Sequence, residues 1–404
     1  MKKITFALFF IAVLFQSCQR QVIIPLESCQ TYWQDSTATH PKATALQNLI
    51  DKYVEKGMPG ITLAVHTPEG GIWVGAAGKA KIETDENVET CHVFHSASVA
   101  KTYHVTAAMT LVEAGKLELD KTIDHYLPDL VCANLANRNT ATIRQLMNHT
   151  SGIPDFIEQM SHITDYFNNL LNTFTTDDYL NYVCGKKPEF KAGAKVSYSN
   201  TNTVLLALIM DEIAGNHADV LTKNIFEKLN LTQTFYKNEK GYPAPTGLVN
   251  TYVDTRGNGA LMNASHIERN FAGMNIGHDA MMATAFDYMK FMHALFNEQI
   301  ISRPSLDEMI DFVNYENTGK IKIGEGLGLE IMFSDKYKIT RAGHNGGSLG
   351  AANNVFHYIE KNITIAVCSN FGGFLPTPLS RQFYHWNVGK KDVLLGDIER
   401  IILE

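Results

Sequence analysis

Ser98-Val99-Ala100-Lys101 is the only Ser-x-x-Lys in the chain, and its setting gives it chemical meaning. Ser98 opens a run from Val99 to Ala114 that is apolar on nearly every side (Val105, Ala107, Ala108, Met109, Leu111, Val112) and stops at Gly115. A helix that is apolar all round is a buried helix, and a lysine in its first turn is costly unless its amine is used. Residues three apart share a helix face, so the Lys101 amine can reach the Ser98 hydroxyl. Burial disfavours the ammonium form and makes Lys101 a proton acceptor near neutral pH. The helix N-terminus adds unpaired N–H groups suited to a developing oxyanion. One short segment thus offers a nucleophile, a base and an oxyanion donor.

Further candidates stand downstream. Tyr198-Ser199-Asn200 precedes a second apolar run, Thr203 to Ala214, and Arg341-Ala342-Gly343-His344-Asn345-Gly346-Gly347 precedes the last strand pair. Leu146-Met147-Asn148-His149-Thr150-Ser151-Gly152 lies between the first two, and Gly326-Leu327-Gly328-Leu329 ahead of the third. In this order the segments resemble the serine penicillin-binding protein and class C β-lactamase family, which carries Ser-x-x-Lys, Tyr-x-Asn, and Lys-Thr-Gly or His-x-Gly on an edge strand. The resemblance runs from about Ala43 to about Phe371. It implies that Ser98 attacks an acyl carbon while Lys101 and Tyr198 share proton transfer, either of them as primary base. It further implies an oxyanion hole from the N–H groups of Ser98 and Gly347, with Gly346 letting substrate lie close. Asn200 would bond the substrate amide and His344 its far end. Water then cleaves the acyl-enzyme, with no cofactor.

His344 stands where the Lys-Thr-Gly members of the family carry a lysine, and a histidine is charged only part of the time near pH 7. This weakens the case for an efficient β-lactamase. Within the family, His-x-Gly resembles the peptidase, aminopeptidase and esterase branches, which implies acyl-D-amino-acid or ester substrates, with β-lactam hydrolysis as the alternative and a penicillin-binding sensor with little turnover as a rival of another class. His149 is expected to be structural, bonding within a turn. Gly346-Gly347-Ser348-Leu349-Gly350 imitates a nucleophile elbow, but such an elbow needs a strand before the serine and a helix after it, and here a strand pair follows. No ligand spacing supports a metal.

The elements that must position these groups follow from periodicity. Ala43 to Lys56 reads as a helix, and Gly60–Thr67 and Gly71–Gly78 as strands about a turn at Pro68-Glu69-Gly70. Helices dominate from about Ser98 to about Leu231, strands return at Val355–Glu360 and Ile363–Ser369, and a helix is expected near Pro378. Strands at both ends enclosing a helical middle predict an α+β fold, an antiparallel sheet flanked by helices with an inserted, mainly helical lobe. The expected domain spans 43–385, followed by a tail, 386–404.

The formal net charge of −7 and the lack of basic clusters argue against nucleic-acid binding. Lys2 and Lys3, then an uncharged apolar stretch from Ile4 to Phe15, read as an export signal over residues 1–18, with 19–42 as a tether. Cys18 stands where a lipoprotein signal places its lipidated cysteine; the other reading is cleavage elsewhere. The expected setting is therefore the cell envelope, periplasmic or membrane-anchored by lipid, with a small-molecule or peptide substrate from peptidoglycan among the candidates. Cys29, Cys91, Cys132, Cys184 and Cys368 show no disulfide framework and are expected as buried apolar groups.

Overall fold

The computed structural model describes residues 39–404 except 128–131, 237–244, 246, 273–275, 316–321, 374 and 384–388. The expected export signal with Cys18, and most of the expected tether with Cys29, lie outside the described residues.

A nine-stranded antiparallel sheet forms the frame. Its order is Glu86–Asn87, Gly71–Lys81, Gly60–Thr67, Ile363–Ser369, Ala352–Tyr358, Ile339–Gly347, Glu330–Ser334, Lys322–Glu325 and Val313–Asn314. The first and last parts of the chain meet at its centre, where Ile61 to His66 pair with Ser369 to Thr364. Period-two alternation then decides the faces. Ile61, Leu63 and Val65 pack rearward with Ile363, Ile365 and Val367, while Ala64, Ala366 and Cys368 join the forward core. Each fully buried Ile, Leu or Val side chain contributes about 1.5–3 kcal/mol.

The helix Ala43–Glu55 buries Leu46, Leu49, Ile50 and Tyr53 on the rear face and is ended by Gly57 at φ 106°. Beside it lies Leu394–Leu403, whose Leu394, Leu395, Ile398, Ile402 and Leu403 enter the same core. The expected boundary at 385 therefore does not separate a tail. This helix belongs to the domain, and Tyr53 donates to Asp397 at 3.0 Å. Arg341 and Glu399 meet at 2.7 Å with side chains 1% and 0% exposed, and Tyr358 donates to the same carboxylate at 2.8 Å. The helix expected near Pro378 is only a short 3-10 turn, Ser380–Gln382.

On the forward face lie Ala285–Phe296, Ala100–Glu113 and the helical insertion. Eleven residues of Ala100–Glu113 are buried, Lys101 among them. Within the insertion, capping boxes start Ile143–Met147 (Thr142 with Gln145) and Thr176–Val183 (Thr175 with Asp178), satisfying N-terminal N–H groups. Cys132 and Cys184 are disulfide-linked and Cys91 is also disulfide-bonded. These three correct the expectation of unpaired apolar cysteines, which holds for the buried, free Cys368. Cysteines 52 residues apart meet through tertiary packing that spacing does not reveal.

Candidate active site

The segment before Ser98 is held from two sides. Asn353, on the strand beside Gly346, donates to the carbonyls of His95 and Ser96 at 2.7 and 3.0 Å. Asp279 accepts from Ser96 Oγ at 3.4 Å and Ala280 N at 2.8 Å. Ala97 is thereby kept at φ 46°, a region that non-glycine residues seldom occupy. This turn leaves Ser98 half-buried among fully buried neighbours.

Lys101 is 1% exposed, and its amine donates to Ser98 Oγ at 3.0 Å and to the His278 carbonyl at 3.1 Å. Burial lowers its pKa to about 7, against the opposing pull of Asp155, Asp279, Glu325 and Glu330. The amine also lies 5.0 Å from the centre of the Tyr198 ring. Burial pushes the Tyr198 phenol well above its ordinary pKa while the Ser98 hydroxyl pulls it down. That buried hydroxyl has no partner in good hydrogen-bonding geometry.

Tyr198 is placed by His149, whose ring lies tilted against it with centres 4.3 Å apart. His149 Nδ1 accepts from Ser199 N at 3.2 Å and lies 3.1 Å from Asn202 Nδ2. The structural part expected of His149 is present, but it reaches across to the Tyr198 segment rather than staying within its own turn. Asn200 begins the helix Asn200–Ala214, and its amide donates to Asp155 at 2.8 Å. Burial raises Asp155 to a pKa of about 6.

His344 lies across from Tyr198, with ring centres 6.2 Å apart. It is 2% exposed, and burial lowers its pKa to about 3, so it is neutral at pH 7. Nδ1 contacts the Asn345 carbonyl and lies 3.8 Å from Glu330. The strand bearing it is sixth of nine, not the edge strand of the resemblance. Past Gly343, however, residues 344–347 pair only with 352–355, so one side of the strand end is open. Gly346 is required there: a Cβ would sit 2.4 Å from the Ser96 carbonyl and 3.2 Å from Ser98 N. Gly347 is exposed beside it. The decoy Ser348 is buried and bonded within its own turn to Ala351.

Ser98, Lys101, Tyr198, His344, Gly346 and Gly347 thus converge, with Asn200 joined through Asp155. Asn353, Asp155, Asp279 and the His278 carbonyl are not marked by the sequence motifs. Asp155 alone carries a signal, following the Leu146–Gly152 segment by three residues. The arrangement can transfer an acyl group to Ser98 with a buried amine taking the proton.

A family profile described as Beta-lactamase matches residues 46–388. The chain is 26% identical over 339 residues to penicillin-binding protein 4* of Bacillus subtilis (strain 168), covering 81% of this chain and 72% of that protein. Its fold is similar to that of D-stereospecific amidohydrolase from Streptomyces sp., with TM-score 0.73 at 23% identity, covering 82% and 95% of the two chains. D-amino acid amidase from Ochrobactrum anthropi SV3, complexed with L-phenylalanine amide, gives TM-score 0.73 at 22% identity over 89% and 97%. The chain belongs to the β-lactamase family and is a serine hydrolase.

Proposed function

We propose that this serine hydrolase of the β-lactamase family acts in the cell envelope, cleaving D-amino-acid peptides, amides or esters through an acyl-enzyme on Ser98. The observation that carries the reading is the buried Lys101 amine, 3.0 Å from the half-exposed Ser98 hydroxyl. Ser98 Oγ bonds to the acyl carbon as its proton passes to Lys101, directly or through Tyr198. The leaving amine or alcohol departs with that proton, and water then attacks the ester so formed.

Substrate choice follows from charge. Relatives with lysine at position 344 hold a fixed cation for a substrate carboxylate, whereas His344 is neutral and faces Glu330. This supports D-amino-acid esters and amides, including peptidoglycan-derived fragments, over β-lactams. The similarity in fold to a D-amino acid amidase supports the same choice. Export, and anchoring through lipid on Cys18, are supported by the charged and apolar pattern of residues 1–18. The disulfides suit an oxidising compartment.

Hydrolysis of a short-chain nitrophenyl ester by the parent and by Ser98→Ala tests the nucleophile, and D- against L-phenylalanine amide tests the substrate class. Turnover lost with Ser98 and faster on the D-amide supports the reading. A Ser98→Ala protein that keeps full activity overturns it, and efficient turnover of a chromogenic β-lactam would move the chain to the β-lactamase reading.

A further inference from the structure

Behind the Lys101 helix runs a buried polar chain that the acyl-transfer steps leave unused. Asp211 Oδ1 lies 2.7 Å from His217 Nδ1 and also accepts the backbone N–H of His217 at 2.6 Å. His217 Nε2 lies 2.8 Å from the Tyr236 hydroxyl. The same hydroxyl lies 3.2 Å from His104 Nε2 and accepts from Gly277 N at 3.4 Å. His104 Nδ1 meets the Ala100 carbonyl at 2.9 Å. His104, His217 and Tyr236 are all buried.

Proton accounting decides the charge of this chain. A carbonyl only accepts, so His104 Nδ1 carries a hydrogen. Burial and the nearby His217 lower the His104 pKa to about 3, so its Nε2 is a bare lone pair. A carboxylate also only accepts, so His217 Nδ1 carries a hydrogen. With His217 neutral, its Nε2 would be a second lone pair, and one hydroxyl proton would face two acceptors. A buried nitrogen left unpaired costs about 1–3 kcal/mol. One added proton removes the conflict. His217 then donates to Tyr236, Tyr236 donates to His104, Gly277 donates to Tyr236, and Asp211 balances the charge.

We infer that His217 is an imidazolium paired with Asp211, and that Asp211, His217 and Tyr236 act together as positioning residues for Lys101. Tyr236 reaches the lysine from two sides. Through His104 it holds the helix that bears Lys101, and through Gly277 it holds the segment whose next carbonyl, that of His278, accepts from the amine. The segment has little slack, since Gly277 is at φ +78° and a Cβ there would lie 2.1 Å from the Thr203 carbonyl. The titratable groups facing His217 are Asp211, Tyr236 and His104. Asp279 acts on Tyr236, and Lys101 acts on His104.

The kinetic half of this inference rests on the acyl-transfer reading, and the protonation half does not. In nitrogen-15 spectra of the parent at pH 7, both ring nitrogens of His217 should carry hydrogen, with the signal assigned by its loss in His217→Gln. A singly protonated ring overturns the inference, whatever the substrate proves to be. In ester hydrolysis, Tyr236→Phe should lower kcat about tenfold with KM nearly unchanged and displace the acid limb of kcat/KM. A folded Tyr236→Phe with parental kcat and pH profile overturns the positioning role. Should that variant not fold, Asp211→Asn carries the test, because Asp211 is 34% exposed. It removes the acceptor that holds His217 Nδ1, so kcat should fall about tenfold with KM nearly unchanged, and parental kcat overturns the role. Absence of ester turnover in the parent would sink the acyl-transfer reading, and the spectra alone would then decide the charge of His217.

Discussion

Asn353 ties the carbonyls of His95 and Ser96 to the strand that runs beside Gly346, across 258 and 257 residues of chain. The turn before Ser98 is therefore tied to the sheet as well as to Asp279. Asn353→Ala leaves two buried carbonyls without this donor, which costs about 1–3 kcal/mol. We expect kcat on a nitrophenyl ester to fall about tenfold because Ser98 is displaced, with the loss of stability read from urea unfolding. Parental kcat in that variant would show that Ser98 is positioned without Asn353.

The Lys101 amine gives a pH dependence of definite sign. With its pKa lowered to about 7, the neutral amine is lost as pH falls. The acid limb of kcat/KM should therefore lie near pH 7 and drop about tenfold per unit below it. The linked stability runs the same way. An unfolded lysine binds its proton up to its ordinary pKa of 10.5, so between about 7 and 10.5 the unfolded chain holds more protons. This group's contribution then makes stability rise with pH. An acid limb confined to the ordinary carboxylate range would assign the base to another group.

Tyr198→Phe separates chemistry from folding. The phenol's polar neighbour is the Ser98 hydroxyl, with which it forms no bond of good geometry, so its removal costs little folding energy. Thermal unfolding should change by less than about 0.5 kcal/mol, while kcat falls about 10²–10⁴-fold through loss of proton transfer. Equal activity of the two proteins would leave Lys101 as the whole of the proton machinery.

Arg341→Met tests the rear of the molecule. It strands Glu399 in a site of 0% exposure, a loss expected to cost about 3–5 kcal/mol in denaturant unfolding. Adding Glu399→Leu should restore most of it, because two apolar groups replace the pair. A single variant as stable as the parent would mean that the final helix is not held through this pair.

The grouping of Ser98, Lys101 and Tyr198 is legible in the sequence through their order and local spacing, and a helix period brings the first two together. The strand pair Gly60–Thr67 and Gly71–Lys81 is legible through apolar runs flanking a turn. What escapes is set by distant contact. Nothing local marks Asn353 as the holder of Ser96, nor the meeting of Cys132 with Cys184. The neutrality of His344 depends on burial that only the folded chain creates. The final helix escapes because Pro378 draws the expected helix start too early, although Leu394, Ile398 and Ile402 keep helical spacing.

The helices Ala43–Glu55 and Leu394–Leu403 lie together behind the sheet, whereas Ser98 opens on its front. Any tether reached through residue 43 consequently grips the molecule by its back. Were the chain moored from that side, its working side would be free to face the surrounding fluid, as a lamp bracketed to a wall faces the room. Substrates would then arrive from the open side, and the surface carrying the mooring would not shade the reacting serine.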